Sequence, residues 1–278
     1  MLPILYGVSS AITWGSADFL GGVASKRTAP YRVLFLAELA GLTPLLGAAL
    51  LLREELPPRA DLLWAVSASL IGLTGLTILY RALANGQMTI AAPVSALLAA
   101  VIPVAFGLLT LGRPDPTTAL AFGLALPAIW LISQSRGQAD WRFHLSGLRL
   151  PLVAGSFFGL YFIAMHRATL TAFFWPLAAA RLAGFLAFGG YALAARKPAM
   201  PPRDLWALCV INGLMDVAGN AFYVLAAQAG RMDIAAVLGA LYPASTVMLA
   251  WIFLRERLAL RQAAGVLLAF AAIILFTV

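Results

Sequence analysis

Four ionisable side chains stand where an apolar sequence should have none: Asp18, Glu38, Arg181 and Asp216. Each lies inside an apolar run long enough to cross a bilayer, for which about 20 residues suffice. Charge at that depth is costly, so such groups mark sites of binding or ion transfer by default. The strongest pattern surrounds Asp216. Asn212, Asp216, Asn220 and Tyr223 recur at spacings of four, four and three, which places them on one helix face. Against lipid that face would leave amides and a carboxyl unsatisfied. It must look into a bundle or a watery cavity. A seam of interhelical hydrogen bonds is the competing reading. Asp216 sits ~16 Å into its segment at 1.5 Å per residue. Desolvation there opposes the carboxylate, while Asn212 and Asn220 favour it by hydrogen bonding. Such a carboxyl is suited to take a proton or meet a substrate amine.

The other candidates surround the same depth. Ser10, Trp14 and Asp18 share a face, and Phe158, Tyr161, Phe162 and His166 form an aromatic cluster later in the chain. Asp18 also reads as a side chain reaching toward Lys26 or Arg27. Arg181 offers a planar fork to a substrate carboxylate. The expected substrate-binding set is Trp14, Tyr80, Tyr161, Asp216, Asn220 and Tyr223. The expected gating or coupling set is Asp18, Glu38, His166 and Arg181. Two histidines and the single Cys209 give no metal-ligand spacing, so neither metal nor cofactor is expected. There is no GK[ST] phosphate loop. There is also no HExxH, GxSxG or His/Cys cluster, which weighs against an intramembrane enzyme, the competing function. A channel would want a repeated polar ring, which one lone carboxylate does not supply.

These residues need helices to hold them. Of 278 residues 62% are hydrophobic and 11% charged, far below the roughly 25% charge of soluble domains. An all-α integral membrane protein follows, because helices satisfy their own backbone in lipid. Ten spans are expected, at about 2–24, 31–52, 62–83, 90–111, 117–135, 149–168, 173–195, 205–228, 234–254 and 260–278. Pro93, Pro103, Pro127 and Pro243 fall within them and should bend them. The net charge of +8 reads as loop charge obeying the positive-inside rule, not as nucleic-acid affinity. Thirteen Lys and Arg fall in alternate connections and five in the others. That split puts both termini outside a cytoplasmic membrane.

The halves resemble one another. YRALANG at 80–86 matches YVLAAQAG at 223–230, MTIAA at 88–92 matches MDIAA at 232–236, and ELAG at 38–41 matches RLAG at 181–184. The offset is 143 or 144 each time. Five spans per half reverse the second copy, giving two inverted repeats, 1–138 and 139–278, with a central site between them. Spans one, three, four, six, eight and nine should line it.

From Tyr223 to Gly265 the chain carries an alanine-rich helix end, AGRMD, LYP at 241–243 and LRERLALRQAAG. With WGSADFLGG at 14–22, this resembles the EamA-type ten-helix carriers of the drug/metabolite transporter superfamily. LGRPDP at 111–116 departs from the pattern, lacking the acid that Glu256 supplies in the second half. The resemblance implies alternating-access export of a small metabolite, amino acids first, with drugs or other metabolites as alternatives and proton coupling as an option.

Overall fold

The computed structural model describes residues 1–84, 88–133, 149–254 and 259–277, without the side chains of 80–92 and 254. Among the described residues there are helices and turns and no strand. The helices are α1 (Leu2–Ser25), α2 (Pro30–Leu51), α3 (Arg59–Ala84), α4 (Met88–Thr110), α5 (Pro116–Ile132), α6 (Arg149–Ala168), α7 (Phe174–Ala194), α8 (Trp206–Ala229), α9 (Met232–Gly239), α10 (Tyr242–Leu254) and α11 (Leu260–Thr277). Eight segments, with α9 and α10 counted as one, are long and apolar enough to cross a membrane. Pro116–Ile132 is a shorter apolar helix, and α1 is not among the eight. Ser9, Ser10, Thr13, Ser16 and Asp18 lower the hydropathy of α1, although its 24 residues would span ~36 Å.

Local chemistry sets the ends. Proline stands in the first turn of α2 and α5, where its missing N–H costs nothing. The Asp115 carboxylate caps α5, accepting from the Thr118 N–H at 2.9 Å and the Thr118 hydroxyl at 2.7 Å. α2 and α7 end alike. Arg53 and Arg196 adopt φ of 52° and 51°, and the next N–H returns to a helix carbonyl, Glu54 to Ala49 at 2.9 Å and Lys197 to Ala192 at 2.8 Å. This left-handed C-terminal turn recurs 143 residues later. Span nine departs from expectation. It is two helices, because the turn at Ala240–Leu241 interrupts it just before Pro243, which has no N–H to give. Span four, with Pro93 and Pro103, runs on as one helix.

The helices pack as reciprocal partners. α1 lies on α8 and α3 on α6; α4 lies on α6, and α1 on α9 and α10; α2 touches α8 and α3 touches α7; α2–α7, α5–α11 and α4–α9 close the bundle. Exchanging each span with the one five later leaves this set of pairs unchanged. One apolar core joins α2, α3, α4, α6, α7, α8 and α9, and a second joins α1, α4, α5, α9 and α11.

Two clasps bind the halves, one at each end of α2. At its C-terminal end the Glu54 carboxylate accepts from the N–H groups of Phe173, Phe174 and Trp175 at 2.7–3.1 Å. The Trp175 indole donates to the Glu54 carbonyl at 2.9 Å, and Thr171 donates to Asp61 at 2.5 Å. At its N-terminal end the Tyr31 hydroxyl donates to the Pro198 carbonyl at 3.0 Å, Arg32 to the Met200 carbonyl at 2.7 Å, and Arg27 pairs with Asp204. Tyr31 and Pro198 stand 144 positions from Trp175 and Glu54. The first clasp lies at the end of the bundle that holds both termini: Pro3 packs against Gly230, Arg231 donates to the Gly112 carbonyl at 3.2 Å, and Phe276 meets Phe122.

Candidate functional site

The interior charges converge from three helices. Arg181 of α7 reaches Asp216 of α8 at 2.5 Å and Glu38 of α2 at 3.2 Å, through the same Nη1. Glu38 and Arg181 are buried, whereas the Asp216 side chain keeps 35% of its exposure. The repeated tetrapeptide explains the fit. Arg181 and Gly184 lie three apart on one face of α7, and a methyl group on Gly184 would sit 2.7 Å from the Glu38 carboxyl carbon. The bare glycine makes room for the acid that its neighbour binds. Asp18 is exposed on α1, within electrostatic reach of Asp216. Among the described residues no cation pairs with Asp18, and Arg27 is bound to Asp204 instead.

The polar face of α8 makes the bonds its spacing promises. The Asn212 amide donates to the Ala17 carbonyl of α1 at 2.6 Å, and the Asn220 amide to the Asp216 carbonyl at 2.8 Å. The Tyr161 hydroxyl donates to the Asn220 side-chain oxygen, and the Tyr223 hydroxyl to the Phe162 carbonyl at 2.7 Å. Trp14, Phe162 and Tyr223 form a triangle of rings: Trp14 stacks on Tyr223 at 6.0 Å and tilts against Phe162 at 5.7 Å, and Phe162 and Tyr223 are 4.9 Å apart. It lies against bare Gly219 and Gly239, where an added methyl would stand 2.5 and 2.8 Å from its ring. The Ser10 hydroxyl donates to the Gly219 carbonyl at 2.8 Å, fixing α1 against α8.

This arrangement corrects three expectations. Asn220 and Tyr223 are not open to a cavity. They are 3% and 0% exposed, because their polar atoms are spent on α6 and on the helix itself. The carboxyl of Asp216 is met by Arg181 from α7, whereas the Asn212 and Asn220 amides donate to the backbone carbonyls of Ala17 and Asp216 instead. His166 is not drawn into the charged cluster. It is half-buried near the end of α6, its charged neighbour is Arg167, and among the described residues its buried Nδ1 has no hydrogen-bond partner. Trp14 and Tyr161 are half-buried beside the cluster. The Tyr80 side chain and Glu256 lie outside the described residues.

Sequence reading missed the clasps. Their signal was present: PPRADLLW at 57–64 and PPRDLW at 201–206 share proline, arginine and tryptophan, and Asp61 and Asp204 occupy corresponding places in the two clasps.

The EamA-like transporter family matches residues 1–134 and, again, residues 145–278. The chain belongs to the EamA-like transporter family. This EamA-like chain is also similar to a solved crystal structure of a protein, with a TM-score of 0.75 at 16% identity, over 99% of this chain and 96% of that one. At that identity the likeness concerns fold alone. No curated protein matches the chain. The EamA-like protein is therefore a multi-pass membrane protein of a transporter family.

Proposed function

We propose that this EamA-like chain is a secondary carrier that exports amino acids by alternating access through the interior charge cluster. The observation that carries the reading is the Arg181–Asp216 pair, buried on one side and open on the other. A zwitterion entering there can exchange with it. The substrate carboxylate takes Arg181, whose fork suits it, and the substrate ammonium takes Asp216 and the unpaired Asp18. The exchange leaves total charge unchanged, so no ion stays bare in a low-dielectric site. Glu38 holds Arg181 in place meanwhile. Trp14 and Tyr161 flank the cluster, and Asn220 ties Asp216 to Tyr161.

Alternating access is supported by the reciprocal helix partners, by the family match on each half and by the interrupted span nine. In this reading ten spans form two inverted repeats, 1–138 and 139–278, in a cytoplasmic membrane with both termini outside. Carriage rather than catalysis is supported by the transporter family that matches each half. The test is competition for flux in proteoliposomes by three compounds sharing one side chain: amino acid, amine and carboxylic acid. The amino acid should compete best, because only it satisfies both Arg181 and Asp216. Equal competition by the carboxylic acid alone would rule out the exchange.

A further inference from the structure

Away from the charge cluster, the outer face of α2 and α7 carries a groove of about 400 Å³. Phe35 and Phe185 line it, stacked with centroids 4.7 Å apart, and Leu186 and Leu193 stand exposed on its wall. On a helix of a membrane protein such a face looks into lipid. Gly190 keeps the groove open, since a methyl group added there meets nothing within 4 Å. One end is cationic. Lys197 lines the groove and Arg196 precedes it; both are exposed, and among the described residues neither meets a carboxylate within ion-pair distance. The left-handed Arg196 turns the chain back, and the Lys197 N–H bonded to Ala192 fixes that end over the last turn of α7. Beside it Tyr31 and Tyr191 meet edge to face at 5.2 Å. Paired tyrosines mark the headgroup level of a bilayer.

We propose that this groove binds an anionic phospholipid, its acyl chain along Phe35 and Phe185 and its headgroup phosphate on Lys197 and Arg196. An apolar channel with a basic mouth at headgroup level complements that one amphiphile. A zwitterionic lipid offers the phosphate with its own cation attached, and basic residues favour net negative headgroups.

The full chain, purified in a neutral detergent, is titrated with phosphatidylglycerol or phosphatidylcholine. Retained lipid is counted by native mass spectrometry and thermal unfolding is followed in parallel. Phosphatidylglycerol should be retained and should raise the unfolding temperature, and phosphatidylcholine should do neither. Lys197→Gln and Arg196→Gln should each weaken retention about fivefold. Gly190→Leu should block it while leaving the lipid-free unfolding temperature unchanged. Equal retention of both lipids would overturn the proposal. So would phosphatidylglycerol binding untouched by all three variants, or a lipid-free dimer abolished by Gly190→Leu, which would assign the groove to a second copy.

Discussion

Arg181 serves two acids at once, and its removal separates structure from transport. Arg181→Ala leaves Glu38 buried without a cation, which costs about 3–5 kcal/mol when one partner of a buried pair is lost. A clear fall in unfolding temperature in detergent is expected, and Glu38→Gln in the same chain should restore part of it. No recovery in the double variant would show that Arg181 stabilises through something other than that charge. Asp216→Asn is the transport counterpart. Half-exposed, it should leave the fold intact and lower apparent substrate affinity at least about tenfold, an interaction of ~1.4 kcal/mol or more. Unchanged flux in a well-folded variant would remove Asp216 from the site. The sequence marked Glu38, Arg181, Asp216 and the exposed Asp18 by the rarity of charge in apolar runs, and it marked the polar face of α8 by spacing. It did not show that Glu38, Arg181 and Asp216 touch. They come from three helices, and only the register of α2 against α7 and α8 brings them together.

At the scale of elements, close approach decides the seams. A methyl group on Gly213 would overlap the Ala37 backbone of α2. Gly213→Ala should therefore push α8 off α2 and cost about 1–3 kcal/mol as overpacking, read as a lower unfolding temperature; an unchanged value would mean that the seam yields freely. The start of α5 offers a pH test. Hydrogen bonds from the Thr117 hydroxyl, then from the Thr118 N–H and hydroxyl, hold the Asp115 carboxyl well below the usual carboxylate range. Its small stabilising contribution is complete above that usual range and is lost as pH falls toward the depressed folded value. Wild-type stability should thus fall on acidification below about pH 4, and Asp115→Ala should fall less steeply from a lower start. Identical slopes would deny the cap its role. Helix extents were legible from apolar runs, usually to within a few residues. The break in span nine was not, because Pro93 and Pro103 sit inside an unbroken α4 while Pro243 follows an interrupted turn. Proline permits a break, and tertiary packing decides whether one forms.

At the scale of the whole molecule, the larger helix contacts come in reciprocal pairs: α1 on α8 with α3 on α6, α4 on α6 with α1 on α9 and α10, and α2 on α8 with α3 on α7. Two clasps 144 positions out of phase tie the ends of α2 and α7, and both are closed here. The Lys and Arg distribution predicts both termini on the outside; tags at Met1 and Val278 should react with an impermeant reagent in intact cells, and protection of either would reverse the topology. The family on both halves was legible from short repeated motifs, while the clasps waited on geometry because their bonds run largely through backbone groups. The central claim is that the Arg181–Asp216 pair opens to admit a substrate that is carried, not merely bound. Counterflow measures this directly: proteoliposomes loaded with unlabelled amino acid are diluted into a trace of labelled amino acid. The account predicts transient, saturable accumulation of label above equilibrium, lost in Asp216→Asn. Equilibration without overshoot, or an overshoot that Asp216→Asn retains in full, would contradict it.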